Sequence, residues 1–153
     1  MSTKISFVTN RRYTNGVFGN TFPNAPGDLR VGTVDVSADG RAQKPIVFPN
    51  TAKKGSMTLF DDLRGDMKTC GRDTLIYLHG FNNDFNESVE EGAELARVLG
   101  GAYNVVVFSW PSNGKTLNYY PDRHDAEMSG LGFARGLLKF KDFIDHLSRE
   151  NAC

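Results

Sequence analysis

Short apolar runs alternate with polar, Gly-rich stretches along the chain, and the spacing of the apolar positions changes near residue 70. Ahead of that point, Ile5 to Thr9 predicts a short strand, Leu29 to Val36 a second with partial alternation, and Ile46 to Phe48 a very short third. Asn10 to Asp28, rich in Gly, Asn and Pro, predicts a loop. Met57, Phe60, Leu63 and Met67 follow Ser56 at helical spacing, which predicts a short helix capped by that serine.

Beyond residue 70 the pattern is that of a parallel sheet. Thr74 to Leu78 is apolar without alternation and predicts a strand buried on both faces. Asp84, with Glu87 behind it, has the form of a helix cap, and Phe85, Val89, Ala93, Ala96 and Leu99 make one apolar face before Gly100-Gly101 ends the helix. Tyr103 to Ser109, rich in β-branched residues and closed by Trp110-Pro111, is the next strand. Strand, helix and strand of these lengths predict a right-handed βαβ unit. After the loop "PSNGKTLNYYP", Asp122 to Arg149 predicts a long helix with Met128, Leu131, Leu138, Ile144 and Leu147 on one face. Gly130, Gly132 and Gly136 in that helix mark weak propensity or close packing on a sheet. No internal repeat or low-complexity segment interrupts the pattern.

At 153 residues the chain has the length of one domain, able to bury roughly 70% of its unfolded surface. That domain is read as 1–153, with strands, loops and one short helix over 1–70 and a βαβα segment over 71–150. Lys plus Arg and Asp plus Glu both total 18, so no net field draws the protein to nucleic acid or an anionic membrane. Arg11-Arg12, beside Tyr13, reads as a solvated turn or an internal ion pair and carries no functional weight. Cys70 and Cys153 lack the spacing of a zinc site or a disulfide framework, which suits a reducing compartment. The N-terminus has no signal-peptide core, and no run approaches the ~18 apolar residues of a membrane span, so a cytoplasmic location is expected. His79, His124 and His146 are too scattered for a metal site, and no Gly-rich phosphate loop is present, so no cofactor is expected.

In parallel α/β sheets the ligand crevice lies beyond the carboxyl ends of the strands. His79-Gly80-Phe81 and Ser109-Trp110-Pro111 end two such strands and are placed to face one crevice. A makeshift Ser109, His124, Asp122 or Asp125 triad is rejected. Ser109 lacks the small neighbours of a nucleophile turn, and Asp122 and Asp125 suit a helix cap and first turn.

These segments also carry a resemblance. Val8-Thr9-Asn10-Arg11, His79-Gly80-Phe81-Asn82, Phe108 to Ser112 ("FSWPS") and Tyr119-Tyr120-Pro121-Asp122 stand in the order found in a bacterial esterase- and lipase-like branch of the α/β-hydrolase superfamily. The resemblance implies a three-layer α/β sheet with helices on both faces. It makes His79 and Gly80 the oxyanion loop, with the Phe81 amide as an oxyanion donor, and Trp110, Tyr119 and Tyr120 the lining of an apolar substrate pocket. It also implies a Ser nucleophile on a G-x-S-x-G or His-Ser-Met-Gly turn, then an acid, then a His; none of these is present in the sequence. The expectation is therefore an N-terminal part of a carboxylic ester hydrolase, truncated before the nucleophile and inactive alone, with a small-molecule ester as substrate of the complete protein. The family's strand order would leave Thr74 to Leu78 bare on one side and prone to self-association. A different class of expectation is a complete, non-catalytic module binding a partner or small apolar ligand in the same crevice.

Overall fold

The computed structural model describes residues 2–23, 28–49, 54–112 and 119–150, the side chains at 54, 119–125, 143, 144 and 146–150 excepted. In chain order the elements are β1 (Thr3–Thr9), β2 (Tyr13–Thr14), β3 (Val17–Phe18), β4 (Arg30–Val36), β5 (Ile46–Val47), α1 (Lys54–Cys70), β6 (Asp73–Leu78), α2 (Phe85–Val98), β7 (Tyr103–Ser109) and α3 (Tyr119–Glu150). Five strands form one mixed sheet in the order β5-β4-β1-β7-β6, and β2 and β3 form a separate hairpin. β1 pairs parallel with β7 and antiparallel with β4, while β6 pairs parallel with β7 across the α2 crossover.

Alternation along the central strands divides the sheet's two faces. Ile5 and Phe7 of β1, Val34 and Val36 of β4, and Val105 and Val107 of β7 pack with Phe85, Val89, Ala93 and Ala96 of α2. Phe7, Phe18 and Phe85 meet there edge-on or tilted, with ring centroids 4.4 to 5.4 Å apart. The opposite face presents Val8, Val31 and Val106 to Leu59, Leu63 and Phe60 of α1 and Phe140 of α3. The result is the three-layer α/β arrangement, with helices on both faces.

α2 follows its sequence signals closely. Asp84 accepts from the Glu87 amide at 2.9 Å, and the Glu87 carboxylate accepts from the Asp84 amide at 2.7 Å, a complete capping box. At the other end Gly100 and Gly101 take positive φ (63° and 69°), and their amides close on the Arg97 and Ala96 carbonyls.

Several expectations are corrected. β6 is not buried on both faces: its residues are half-buried or exposed and Leu78 is 48% exposed, because β7 is its only partner among the described residues. α1 begins at Lys54, which puts Ser56 inside the helix rather than at its cap, and its buried positions are Leu59 and Leu63, with Met57 facing solvent. α3 begins at Tyr119, so Asp122 lies within the helix and not before it. Pro121 fits there because a first-turn amide has no helical acceptor. Met128, Leu131 and Leu138 are exposed, and α3 turns Ser129, Gly132, Phe133, Gly136 and Phe140 inward instead. Small residues decide that choice: a Cβ at Gly132 would stand 3.4 Å from Asn10 Nδ2 and one at Gly136 3.9 Å from Val8 Cγ1, so the glycines bring the helix close to β1. Within the predicted loop, Asn15 and Gly16 both take positive φ (52° and 85°) and close the β2-β3 hairpin in the manner of a type I′ turn.

Two glycine substitutions distinguish close approach from propensity. A Cβ at Gly92 of α2 would fall 2.4 Å from Val107 Cγ2, whereas one at Gly65 of α1 meets nothing within 4 Å. Gly92→Ala is expected to lower the unfolding free energy by about 1–3 kcal/mol despite better helix propensity, and Gly65→Ala to raise it by up to about 1 kcal/mol. Urea unfolding of the two variants checks both signs.

Candidate functional site

Parallel pairing brings three strand ends together. Thr9 lies opposite Ser109 and Leu78 opposite Phe108, so the segments after β1, β6 and β7 leave the sheet side by side. Asn10-Arg11, His79-Gly80-Phe81 and Trp110-Pro111-Ser112 thus lie side by side beyond the carboxyl ends, the position where α/β sheets bind ligands.

His79 is 3% exposed and both ring nitrogens are engaged. The Trp110 backbone N–H donates to Nε2 at 3.0 Å, which leaves Nδ1 to carry the proton and donate to the Gly80 carbonyl at 2.6 Å. The Trp110 carbonyl, 3.2 Å from Nε2, is then a neighbour and not an acceptor. In return the Trp110 indole N–H donates to the His79 carbonyl at 3.1 Å, and the two rings stack at 5.0 Å and 9°. Trp110 itself is 6% exposed, so its ring packs on His79 rather than standing open in the crevice. Burial, and next the positive charge of Arg11, push the His79 imidazole down to about 4.

The turn after His79 is shaped by Asn82. Its φ is 72°, and its amide donates to Ser112 Oγ at 2.7 Å. Gly80 has no positive φ, and a Cβ there would meet nothing within 4 Å, so open space lies beside it. Phe81 is half exposed on the same turn. Ser109 is fully buried, and its Oγ bonds to Arg11 Nε at 2.8 Å and Ser88 Oγ at 2.9 Å, which denies it to a substrate. Tyr119 and Tyr120 open α3, and their side chains, with those of Asp122, His124 and Asp125, lie outside the described residues. An apolar cavity of about 90 Å³ lies on the other sheet face, among Val8, Val106, Phe108, Leu59 and Phe140, and includes none of the crevice turn. Among the described residues no group of three or more His, Cys, Asp and Glu is placed to hold a metal, and no helix is long and apolar enough to cross a membrane.

Arg11, expected in a solvated turn or an ion pair, is instead 1% exposed beneath these turns, bonded to Ser109, Asn20 and Asn83. Nothing in the sequence marks it as buried; only the parallel pairing of β1 with β7 puts the end of β1 beside Ser109.

A three-layer sheet whose parallel strands end in a His-Gly turn and a Ser-Trp-Pro-Ser turn over one crevice defines the α/β-hydrolase class of fold. The chain belongs to the alpha/beta hydrolase family of unknown function DUF900, whose model matches residues 57–148, from α1 to near the end of α3. No curated protein and no solved structure matches the chain.

The His79 environment has a pH signature. Its folded value lies below the ordinary 6.5, so the unfolded chain takes up a proton first as pH falls. The contribution is complete above about pH 6.5 and is lost between there and about pH 4, to the extent of roughly 3 kcal/mol. His79→Gln is expected to flatten this part of the stability profile, measured by urea unfolding at pH 7, 5.5 and 4.5.

Proposed function

We propose that this chain supplies the oxyanion half of a serine hydrolase acting on carboxylic esters, with Phe81 presenting a backbone N–H to the developing oxyanion and His79 and Gly80 shaping its loop. The observation that carries this is the His79-Gly80-Phe81 turn, locked by Trp110 and open beside Gly80, at the end of a strand with one side unpaired among the described residues. His79 is a scaffold here and not a base, since Trp110 and the Gly80 carbonyl engage its ring nitrogens. An oxyanion donor of this kind is worth about 3–4 kcal/mol of transition-state stabilisation, but it needs a nucleophile. The G-x-S-x-G or H-S-M-G turn that would provide one does not occur in the sequence. We place it on a strand that adds to the free side of β6, next to Phe81.

The side of β6 away from β7, unpaired among the described residues, exposes the backbone of Leu75, Ile76, Tyr77 and Leu78 behind Asp73, a run with no proline and one terminal charge, the composition of a strand that accepts a neighbour. Without that neighbour the chain is expected to self-associate through this strand.

The 153-residue chain is expected to show no turnover of activated esters above background. The same chain extended through the following coding frame is expected to hydrolyse them, to lose that activity when the nucleophile Ser becomes Ala, and to sediment as a better-defined species. Robust turnover by the 153-residue chain, abolished in Ser109→Ala, would overturn the proposal. A stop codon directly after Cys153, with apolar ligand binding in the crevice and no hydrolysis, would instead favour the non-catalytic binding module.

A further inference from the structure

Segments distant in sequence meet on the Arg11 side chain. Nε donates to Ser109 Oγ at 2.8 Å, and one terminal nitrogen donates to the Asn83 carbonyl at 2.7 Å. The other reaches Asn20 Oδ1 at 2.6 Å, the Gly19 carbonyl at 3.4 Å and the Ser112 carbonyl at 3.5 Å. The end of β1 is tied into the same cluster: the Arg11 amide donates to Thr9 Oγ1 at 3.1 Å, and Thr9 Oγ1 donates to the Ser109 carbonyl at 2.6 Å. Ser109 is held from behind by Ser88 of α2, and Ser112 Oγ accepts the Asn82 amide. Guanidinium donors lie in one rigid plane, so acceptors bound to different edges of it cannot move independently.

We propose that Arg11 is the positioning residue of the His79 to Asn83 turn: anchored on Ser109 at the end of β7, its buried guanidinium clamps that turn through Asn83 and Ser112 and so fixes where the Gly80-Phe81 backbone faces the crevice. The catalytic meaning of this rests on the oxyanion assignment above; the coupling itself does not. Arg11 acts through the turn and touches no reacting atom. Its charge also helps keep His79 neutral, opposed only weakly by Glu91 of α2, and so preserves the Nε2 acceptor that the Trp110 amide needs.

Lysine can replace the charge but not the planar fork, and methionine replaces neither. The test is amide hydrogen exchange with a histidine nitrogen titration by NMR, on the 153-residue chain and on Arg11→Lys, Arg11→Met and Asn20→Ala. In Arg11→Met the protection of the Asn82 and Trp110 amides is expected to fall roughly tenfold or more beyond any change in β4 and α2, and the His79 pKa to rise. Arg11→Lys should lose the Asn82 protection while the His79 pKa stays low. Asn20→Ala removes an acceptor that touches neither amide and is mild enough to leave the fold intact, yet it too is expected to loosen both. Unchanged Asn82 and Trp110 exchange in Asn20→Ala, or a uniform loss of protection across the sheet in the Arg11 variants, would overturn the proposal. No readout is hydrolysis, so failure of the oxyanion assignment leaves these outcomes untouched, and failure here leaves ester turnover of the extended chain to be decided separately.

Discussion

A guanidinium charge held out of water is tolerated only if its donors find acceptors, and the cost of leaving them unmet runs to several kcal/mol. Arg11 imposes that constraint on the whole carboxyl end of the sheet. Ser109 must present its hydroxyl inward, Asn83 and Ser112 must point carbonyls at the guanidinium, and the β2-β3 hairpin must fold back far enough to deliver Gly19 and Asn20. Once those groups are placed, the turn between His79 and Asp84 has little freedom, and α2 starts where its capping box requires. The carboxyl end of the sheet is thus organised around a polar centre, while the strands behind it are held by ordinary apolar packing on both faces.

What the sequence disclosed followed from the strength of local signals. α2 was legible from cap to terminator because Asp84, Glu87, the apolar stripe and the paired glycines all point to the same helix. β1, β4 and β7 were legible from β-branched and aromatic runs. α1 was located with Phe60 and Leu63 on the packed face and only Met57 misplaced, whereas α3 was located but turned the wrong way. A hydrophobic stripe shows where a helix could bury surface, yet Gly132 and Gly136 let another face approach the sheet more closely and left Leu131 and Leu138 outside. β6 was misjudged for a related reason. An apolar run states what a strand can bury against, and the neighbours decide how much of it is covered.

The site was half legible. The His-Gly turn and the Ser-Trp-Pro-Ser turn could be placed side by side at the carboxyl ends of their strands from the βαβ pattern alone. The mutual lock between His79 and Trp110 could not, because it depends on the parallel register of β6 and β7 and on two backbone groups that no side-chain pattern reveals. Arg11 was invisible for the opposite reason: in one dimension a buried arginine and a solvated one look alike. Only the count of acceptors within reach separates them.

The parallel pairing of β1 with β7 also governs how the chain can fold. Thr9 and Ser109 are bonded neighbours in space and 100 residues apart in sequence. Contacts that distant are slow to form, because a long loop must close before they contribute. During synthesis β1 can pair early only with β4, leaving the side intended for β7 uncovered until α1, β6 and α2 have been made. The compact βαβ unit, whose contacts are more local, is suited to form as a body of its own and then receive the β1-β4 pair along β7. The central strand of the finished sheet is in that sense its last seam, and in the interval the unburied guanidinium of Arg11 can keep the end of that seam hydrated until its acceptors arrive.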